Sequence, residues 1–176
     1  RAALYSGKAL DFDGSNDKMT TPNISVQSSN VWTYSFYWNL QDITQTGYIF
    51  DARTSGVGYT LYYYSNGNNL DLFQSTGGSS FSNSTFETNQ WYHIAVSSDG
   101  TNVGLYINGQ FAENIAGAIQ TYSSTGDLHI SSSHVSTGYA EHFLSNFKAF
   151  NTALTAAQIA DLYNNPEKIV PTGVDN

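Results

Sequence analysis

The chain has 176 residues, of which 40% are apolar, 15% aromatic and only 11% charged, with a net charge of −8 and no cysteine. That length suits one ordinary domain with a real core, and the charge content is less than half of the roughly 25% usual in soluble domains. The acidic balance and the scatter of Lys8, Lys18, Arg53, Lys148 and Lys168 exclude nucleic acid and anionic membrane as partners, the lack of cysteine excludes disulfides, thiolate metal sites and thiol nucleophiles, and no apolar run approaches the ~20 residues of a membrane span.

No charged-then-apolar leader follows Arg1. The sequence is expected to run straight into structure, as a processed product or excised domain would. Strands are predicted at Ala9–Phe12 and Lys18–Thr20. From Trp32 to Leu40 the residues alternate: Trp32, Tyr34, Phe36, Trp38 and Leu40 share one face, and Thr33, Ser35, Tyr37 and Asn39 the other. This pattern predicts a long strand with a buried side. Tyr48–Asp51 is a further strand. Tyr59, Leu61 and Tyr63 alternate with Thr60, Tyr62 and Tyr64, Asn66 and Gly67 turn the chain, and Leu70 and Leu72 return.

Residues 91–116 hold two more turn signals, Asp99-Gly100 and Asn108-Gly109. Ile94 and Val96 share a face before the first, and Val103, Leu105 and Ile107 before the second. Such dipeptides tolerate the positive φ of primed hairpin turns, so a three-stranded antiparallel meander is predicted. Strands follow at Leu128–Ser131 and His142–Phe150. One short helix is predicted, capped by Thr155 with Gln158 reciprocating. Ile159, Leu162 and Tyr163 form its docking stripe, and Asn164-Asn165-Pro166 ends it. Residues 1–165 then form the domain, and 166–176 an extended tail or linker without periodicity. Many evenly spaced strands, one helix and no βαβ rhythm predict an all-β fold, a two-sheet antiparallel β-sandwich or jelly roll.

The motifs and their order resemble the LamG-like (laminin G type) jelly rolls of the concanavalin A-like lectin/glucanase superfamily, over about residues 9–163. Ala9–Asp17 is similar to that family's first strand and turn. Val31–Leu40 resembles its phenylalanine-threonine-isoleucine-serine-alanine-tryptophan strand. Trp91–Val96, Asp99–Thr101 and Leu105–Gly109 resemble the central signature, and Leu144–Thr155 with Ile159–Tyr163 the closing strand and helix. Tyr37 stands where the family often has tryptophan. Ser145 follows Leu144 where many members carry an acid that helps to ligate a structural calcium. The resemblance implies sugar-binding modules, polysaccharide hydrolases or lyases, adhesion domains or virion surface domains.

Glycoside hydrolysis with retention requires two carboxyls about 5–5.5 Å apart, which alternate positions of a strand supply. The four glutamates, Glu87, Glu113, Glu141 and Glu167, have no acidic neighbour at i+2 or i+4, and Asp11 with Asp13 is the only i, i+2 acidic pair. The expectation is therefore a non-enzyme. His129, His134 and His142 have no metal-ligand spacing. No cofactor is required, but Asp13, Asn16 and Asp17 could offer oxygens to a calcium ion or satisfy turn amides instead.

Tyr37, Tyr62, Tyr64, Trp91, His93 and Tyr106 lie opposite the predicted core positions. If their strands share a sheet, they form a shallow aromatic face with Asp51, Arg53 and Asp71 nearby. Rings stack on the apolar faces of sugars while hydroxyls and carboxylates bond to sugar hydroxyls, and the same chemistry serves a protein epitope. The first expectation is a non-catalytic recognition or adhesion module that presents a glycan- or protein-binding face, extracellular or on a virion surface such as a phage fibre, tail or capsid decoration. The alternatives are a purely structural decoration domain among the subunits of a larger assembly and, second, a polysaccharide hydrolase or lyase.

Overall fold

A computed structural model of the chain describes residues 8–22, 29–54, 57–74, 77–82, 84–116 and 126–174. Residues 1–7, where the sequence is expected to run straight into structure, lie outside them. The elements in order are β1 (Leu10–Asp13), β2 (Met19–Thr21), β3 (Val31–Leu40), β4 (Gly47–Asp51), β5 (Tyr59–Tyr64), β6 (Asn69–Gln74), β7 (Gly77–Phe81), β8 (Trp91–Asp99), β9 (Asn102–Ile107), β10 (Gln110–Ala116), β11 (Leu128–Ile130), β12 (Glu141–Phe150) and α1 (Ala156–Asn164). They build two six-stranded sheets, β1-β12-β3-β8-β9-β10 and β2-β11-β4-β5-β6-β7. Every ladder is antiparallel. This is the predicted all-β sandwich with one short C-terminal helix.

Period-2 alternation places one face of each strand in the space between the sheets. Trp32, Tyr34, Phe36, Trp38 and Leu40 of β3 meet Tyr59, Leu61, Tyr63, Leu70, Leu72 and Phe81 of the second sheet in one core. Trp32 stacks on Tyr59 with ring centroids 4.5 Å apart, and the Tyr34 and Tyr59 hydroxyls bond to each other at 3.0 Å. Removing each such side chain from water contributes about 1.5–3 kcal/mol. His142 also lies in this core, its ring 5.1 Å from that of Phe12.

The turns follow the residue types. Asn108 (φ 51°) and Gly109 (φ 75°) are both left-handed, between the paired Ile107 and Gln110, as a type I′ turn requires. Asp99 Oδ1 accepts from the amides of Thr101 and Asn102, each at 2.7 Å. The third turn differs from expectation. Its left-handed residue is Asn68 (φ 49°), because the β5–β6 ladder closes at Tyr64–Asn69 and leaves four residues to connect. β7 was not predicted: Gly77–Phe81, made of Gly, Ser and one Phe, pairs with β6 and buries Phe81.

β12 changes face partway along. Its ladder with β3 shifts between Ser145 and Lys148, where Asn146 has φ 49°. Leu144 faces the core before this bulge, Phe147 and Ala149 face it afterwards, and Phe150 joins a second cluster with Ala95, Leu154, Ile159 and Leu162. That cluster seats α1 on the outer face of the first sheet. Thr155 and Gln158 form the predicted capping box. Beyond the helix, Asp161 accepts from Lys168 Nζ at 2.7 Å and from the Thr172 amide at 2.9 Å. Residues 166–174 fold back as turns, Pro171 is buried, and Val174 packs on the helix cluster.

Gly109 joins the turn to the helix. A Cβ there would stand 2.9 Å from Tyr163 Cδ1 at a φ of +75°. Gly109→Ala is expected to lower unfolding free energy by about 2–4 kcal/mol, combining φ strain of about 1–2 kcal/mol with displacement of the helix. Gly173→Ala, at φ +83° but with its nearest neighbour 3.7 Å away, should cost only the strain. Urea titration of both variants measures the difference.

Candidate functional site

The nine predicted face residues divide between two opposite surfaces. Tyr37, Trp91, His93 and Tyr106 belong to the outer face of the first sheet. Tyr37 is buried, its hydroxyl donating to the Tyr163 carbonyl of α1 at 2.7 Å. Its ring lies 5.0 Å from that of His93, which in turn lies 5.8 Å from that of Tyr163. The His93 Nε2 pairs with Ser35 Oγ at 2.9 Å. Burial, and then the Lys148 ammonium, push His93 down to about 3. Tyr106 packs against the helix cluster, and Trp91 stacks on Phe143 at 6.4 Å. The helix predicted from the sequence thus covers Tyr37 and His93, two of the residues predicted to meet a ligand.

Tyr62, Tyr64, Asp51, Arg53 and Asp71 do come together, on the outer face of the second sheet. Register puts Tyr62 between Tyr48 of β4 and Asp71 of β6, and Thr60 between Asp51 and Phe73. The Tyr48 and Tyr62 rings are 5.8 Å apart. Tyr64, two residues along the same face, is 38% exposed. Burial and the hydrogen-bonded Asp71 carboxylate push the Tyr62 hydroxyl up to about 12. Asp71 also accepts from Asn69 Nδ2 at 2.6 Å.

Asp51 organises the end of this face. It is fully buried. Arg53 donates to it from its amide at 2.9 Å, from Nε at 2.8 Å and from Nη2 at 2.7 Å. The His134 amide donates at 2.8 Å, and His134 Nδ1 lies 3.0 Å from Oδ2. Burial opposes the charge on Asp51, but Arg53 and the His134 amide overcome it and hold the carboxyl below the usual carboxylate range. The guanidinium carbon lies 5.4 Å from the Tyr48 ring centre and 5.5 Å from that of Phe73, within cation–π reach of both. Beside this cluster opens a cavity of about 370 Å³, lined by Arg53, Thr54, Gly126, Asp127, His129, His134 and Val135. It stands near the low end of small-ligand clefts, roughly 300–1,000 Å³.

Tyr48, Phe73, His129 and His134 are the members that sequence reasoning left out. Phe73 was findable, since it lies two residues after Asp71 on the same face of β6, whereas Tyr48 lies three before Asp51 and joins its face only through the register shift between Tyr48 and Phe50. Nothing in the sequence pointed to His134, which lies 83 residues from Asp51.

Asp13 and Asp17, two of the three residues that could offer oxygens to calcium or satisfy turn amides, do bond to amides of their own loop. Asp13 Oδ1 accepts from the Ser15 amide at 2.8 Å and the Asn16 amide at 3.4 Å, and Asp17 Oδ2 from the Asp13 amide at 3.3 Å. Among the described residues no group of three His, Asp or Glu side chains is placed to hold a metal ion.

A family model described as the concanavalin A-like lectin/glucanases superfamily matches residues 13–160. No curated protein matches the sequence. Among solved structures, the chain is similar to a heptameric SAP-like pentraxin from Limulus polyphemus (TM-score 0.68, 20% identity, covering 94% of this chain and 88% of that one). It is also similar to Trypanosoma rangeli sialidase in complex with 2,3-difluorosialic acid as a covalent intermediate (TM-score 0.71, 15% identity, 96% of this chain and 29% of that one). A third is botulinum neurotoxin type C, whose cell entry depends on interaction with two ganglioside molecules (TM-score 0.67, 14% identity, 89% of this chain and 42% of that one). At these identities the likeness is one of fold.

Two predictions follow from the buried charges. Arg53→Met strands the Asp51 carboxylate and is expected to cost about 3–5 kcal/mol, most of it recovered in the double variant Asp51→Leu/Arg53→Met, read by denaturant unfolding. Burial also holds His142, like His93, down to about 3, below the ordinary 6.5. Between those values the unfolded chain binds more protons than the folded one. The stability these rings contribute is therefore whole above about pH 6.5 and is lost as pH falls toward about 3, by about 1.4 kcal/mol per pH unit for each ring. His142→Phe should remove one proton's worth of that slope, measured by urea unfolding across the range. Asp51, held below its ordinary 3.8, adds its loss only at lower pH.

Proposed function

We propose, from the premise that the chain belongs to the concanavalin A-like lectin/glucanases superfamily, that it is a non-catalytic recognition module whose ligand is a glycan, bound on the outer face of the second sheet. The observation that carries this reading is the asymmetry of the two faces. α1 covers part of the first. On the second, Tyr48, Tyr62, Tyr64 and Phe73 stand partly open, and Arg53, against Tyr48 and Phe73, links them to the 370 Å³ cavity. Half-exposed rings flanked by hydroxyls, carboxylates and imidazoles are the chemistry that stacks on sugar rings and bonds to their hydroxyls.

Solved neighbours of the same fold carry sialic acid derivatives or depend on gangliosides, which supports a glycan by analogy of fold. Two carboxylates of the face are already engaged, Asp51 by Arg53 and His134 and Asp71 by Asn69 and Tyr62, and Asp127 is the one acid among the described residues that line the cavity, which supports binding over cleavage by a carboxyl pair. Presentation on a cell or virion surface belongs to the same proposal, supported by the low charge and the polar uncharged composition.

A glycan array probed with the purified chain tests the reading. Binding is expected, and Tyr62→Ala or Phe73→Ala should weaken it at least tenfold, about 1.4 kcal/mol. Trp91→Ala, on the opposite face, should leave it unchanged. Absence of binding to every glycan would favour the purely structural decoration, and release of reducing ends from polysaccharides would revive a hydrolase.

A further inference from the structure

We infer that this face selects uncharged glycans and rejects those ending in an anionic sugar. The inference rests on the glycan-binding reading above and defines the ligand class of that same site.

An acidic sugar is held where its carboxylate meets a cation with free donors. Arg53 is the cation within the aromatic cluster, and its Nε and Nη2 are committed to the two oxygens of Asp51 at 2.8 and 2.7 Å. Asp51 is fully buried, so a ligand that took Arg53 from it would strand a charge away from water. The Arg53 side chain is only 10% exposed, and the Tyr48 and Phe73 rings lie against its guanidinium. Its positive charge is spent inside the protein.

The other described cations lie outside the aromatic cluster and the cavity lining. Lys18, exposed just before the edge strand β2 of the same sheet, is engaged by Ser136, one residue beyond Val135 of the cavity wall, to whose Oγ its Nζ donates at 2.6 Å. Lys148 is on β12 of the first sheet and donates to the Pro166 carbonyl at 3.2 Å. Lys8 precedes β1 of that sheet, and Lys168 is paired with Asp161. Within the cluster and the cavity lining, the carboxylates not paired with Arg53 are Asp71, beside Tyr62, and Asp127, exposed on the cavity wall. A sialylated ligand would bring a carboxylate toward these two without a counter-ion, a repulsion that salt screens within about 10 Å at 0.1 M. An uncharged sugar asks only for stacking and hydrogen bonds, which the rings of Tyr62, Tyr64 and Phe73 and the His129 and Asp127 side chains are placed to give.

The test is an array containing uncharged glycans and their sialylated counterparts, probed with the full chain at low and high salt and again after enzymatic desialylation. Uncharged members are expected to bind at least tenfold more tightly than their sialylated partners at low salt, with the gap narrowing at high salt and closing after desialylation. Equal or tighter binding of sialylated members overturns the selectivity while leaving glycan binding intact. Binding of neither class overturns both. Asp127→Lys, a change at an exposed position, is expected to cut the discrimination at least threefold. Discrimination unchanged in a folded Asp127→Lys protein, judged by its circular dichroism, overturns the electrostatic basis.

Discussion

Trp32 through Leu40 are buried without a break, which a strand achieves only when something covers each of its faces. The second sheet covers one face, through Trp32, Tyr34, Phe36, Trp38 and Leu40. The other meets α1 and the chain around it: Thr33 Oγ1 donates to the Thr152 carbonyl at 2.8 Å, and Tyr37 reaches Tyr163. β3 also sits between β12 and β8, so its backbone groups are paired on both edges. The two faces of the sandwich acquire different uses from this one strand. The first sheet spends much of its outer surface on holding the C-terminal segment, whereas on the outer face of the second Tyr48, Tyr62, Tyr64 and Phe73 stay partly open.

On that second sheet a buried charge takes the place of a deep pocket. Five hydrogen bonds converge on Asp51 from Arg53 and His134. Such a pair adds little net stability, because desolvation offsets much of the attraction. It does fix geometry. The 131–138 segment is tied to β4 through His134, and also by the amide of Ser131, which donates to Ile49, and that of Tyr48, which donates to Gly138. Arg53 is held beside the Tyr48 and Phe73 rings. A shallow surface loses affinity when its side chains must be ordered on binding, and this network orders them beforehand.

Two of the three register shifts among the described residues, those in β12 and β4, extend the same logic to the backbone. Strict alternation along β12 would have sent Phe147 outward and Phe150 inward. The shift at Asn146 lets one strand serve the sandwich core with Leu144 and Phe147 and the helix cluster with Phe150. In β4 the shift between Tyr48 and Phe50 buries both Ile49 and Phe50 while keeping Tyr48 beside Tyr62.

Sequence by itself determined the strands other than β7, most of the turns and the helix, since each rests on near neighbours. The alternation in β3 and β5, the Asn108-Gly109 turn and the Thr155–Gln158 capping box are local signals, and local geometry answers them directly. It also determined which residues face away from the core, so Tyr62, Tyr64, Asp51, Arg53 and Asp71 could be chosen. Only the tertiary structure decided that Tyr37, Trp91, His93 and Tyr106 stand on the opposite side of the molecule, because strand order within a sheet is not written in periodicity. The Asp51–His134 bond likewise depends on loop closure across 83 residues. Alternation tells inside from outside for one strand at a time, and a site that spans several strands exists only once the sheets have chosen their neighbours.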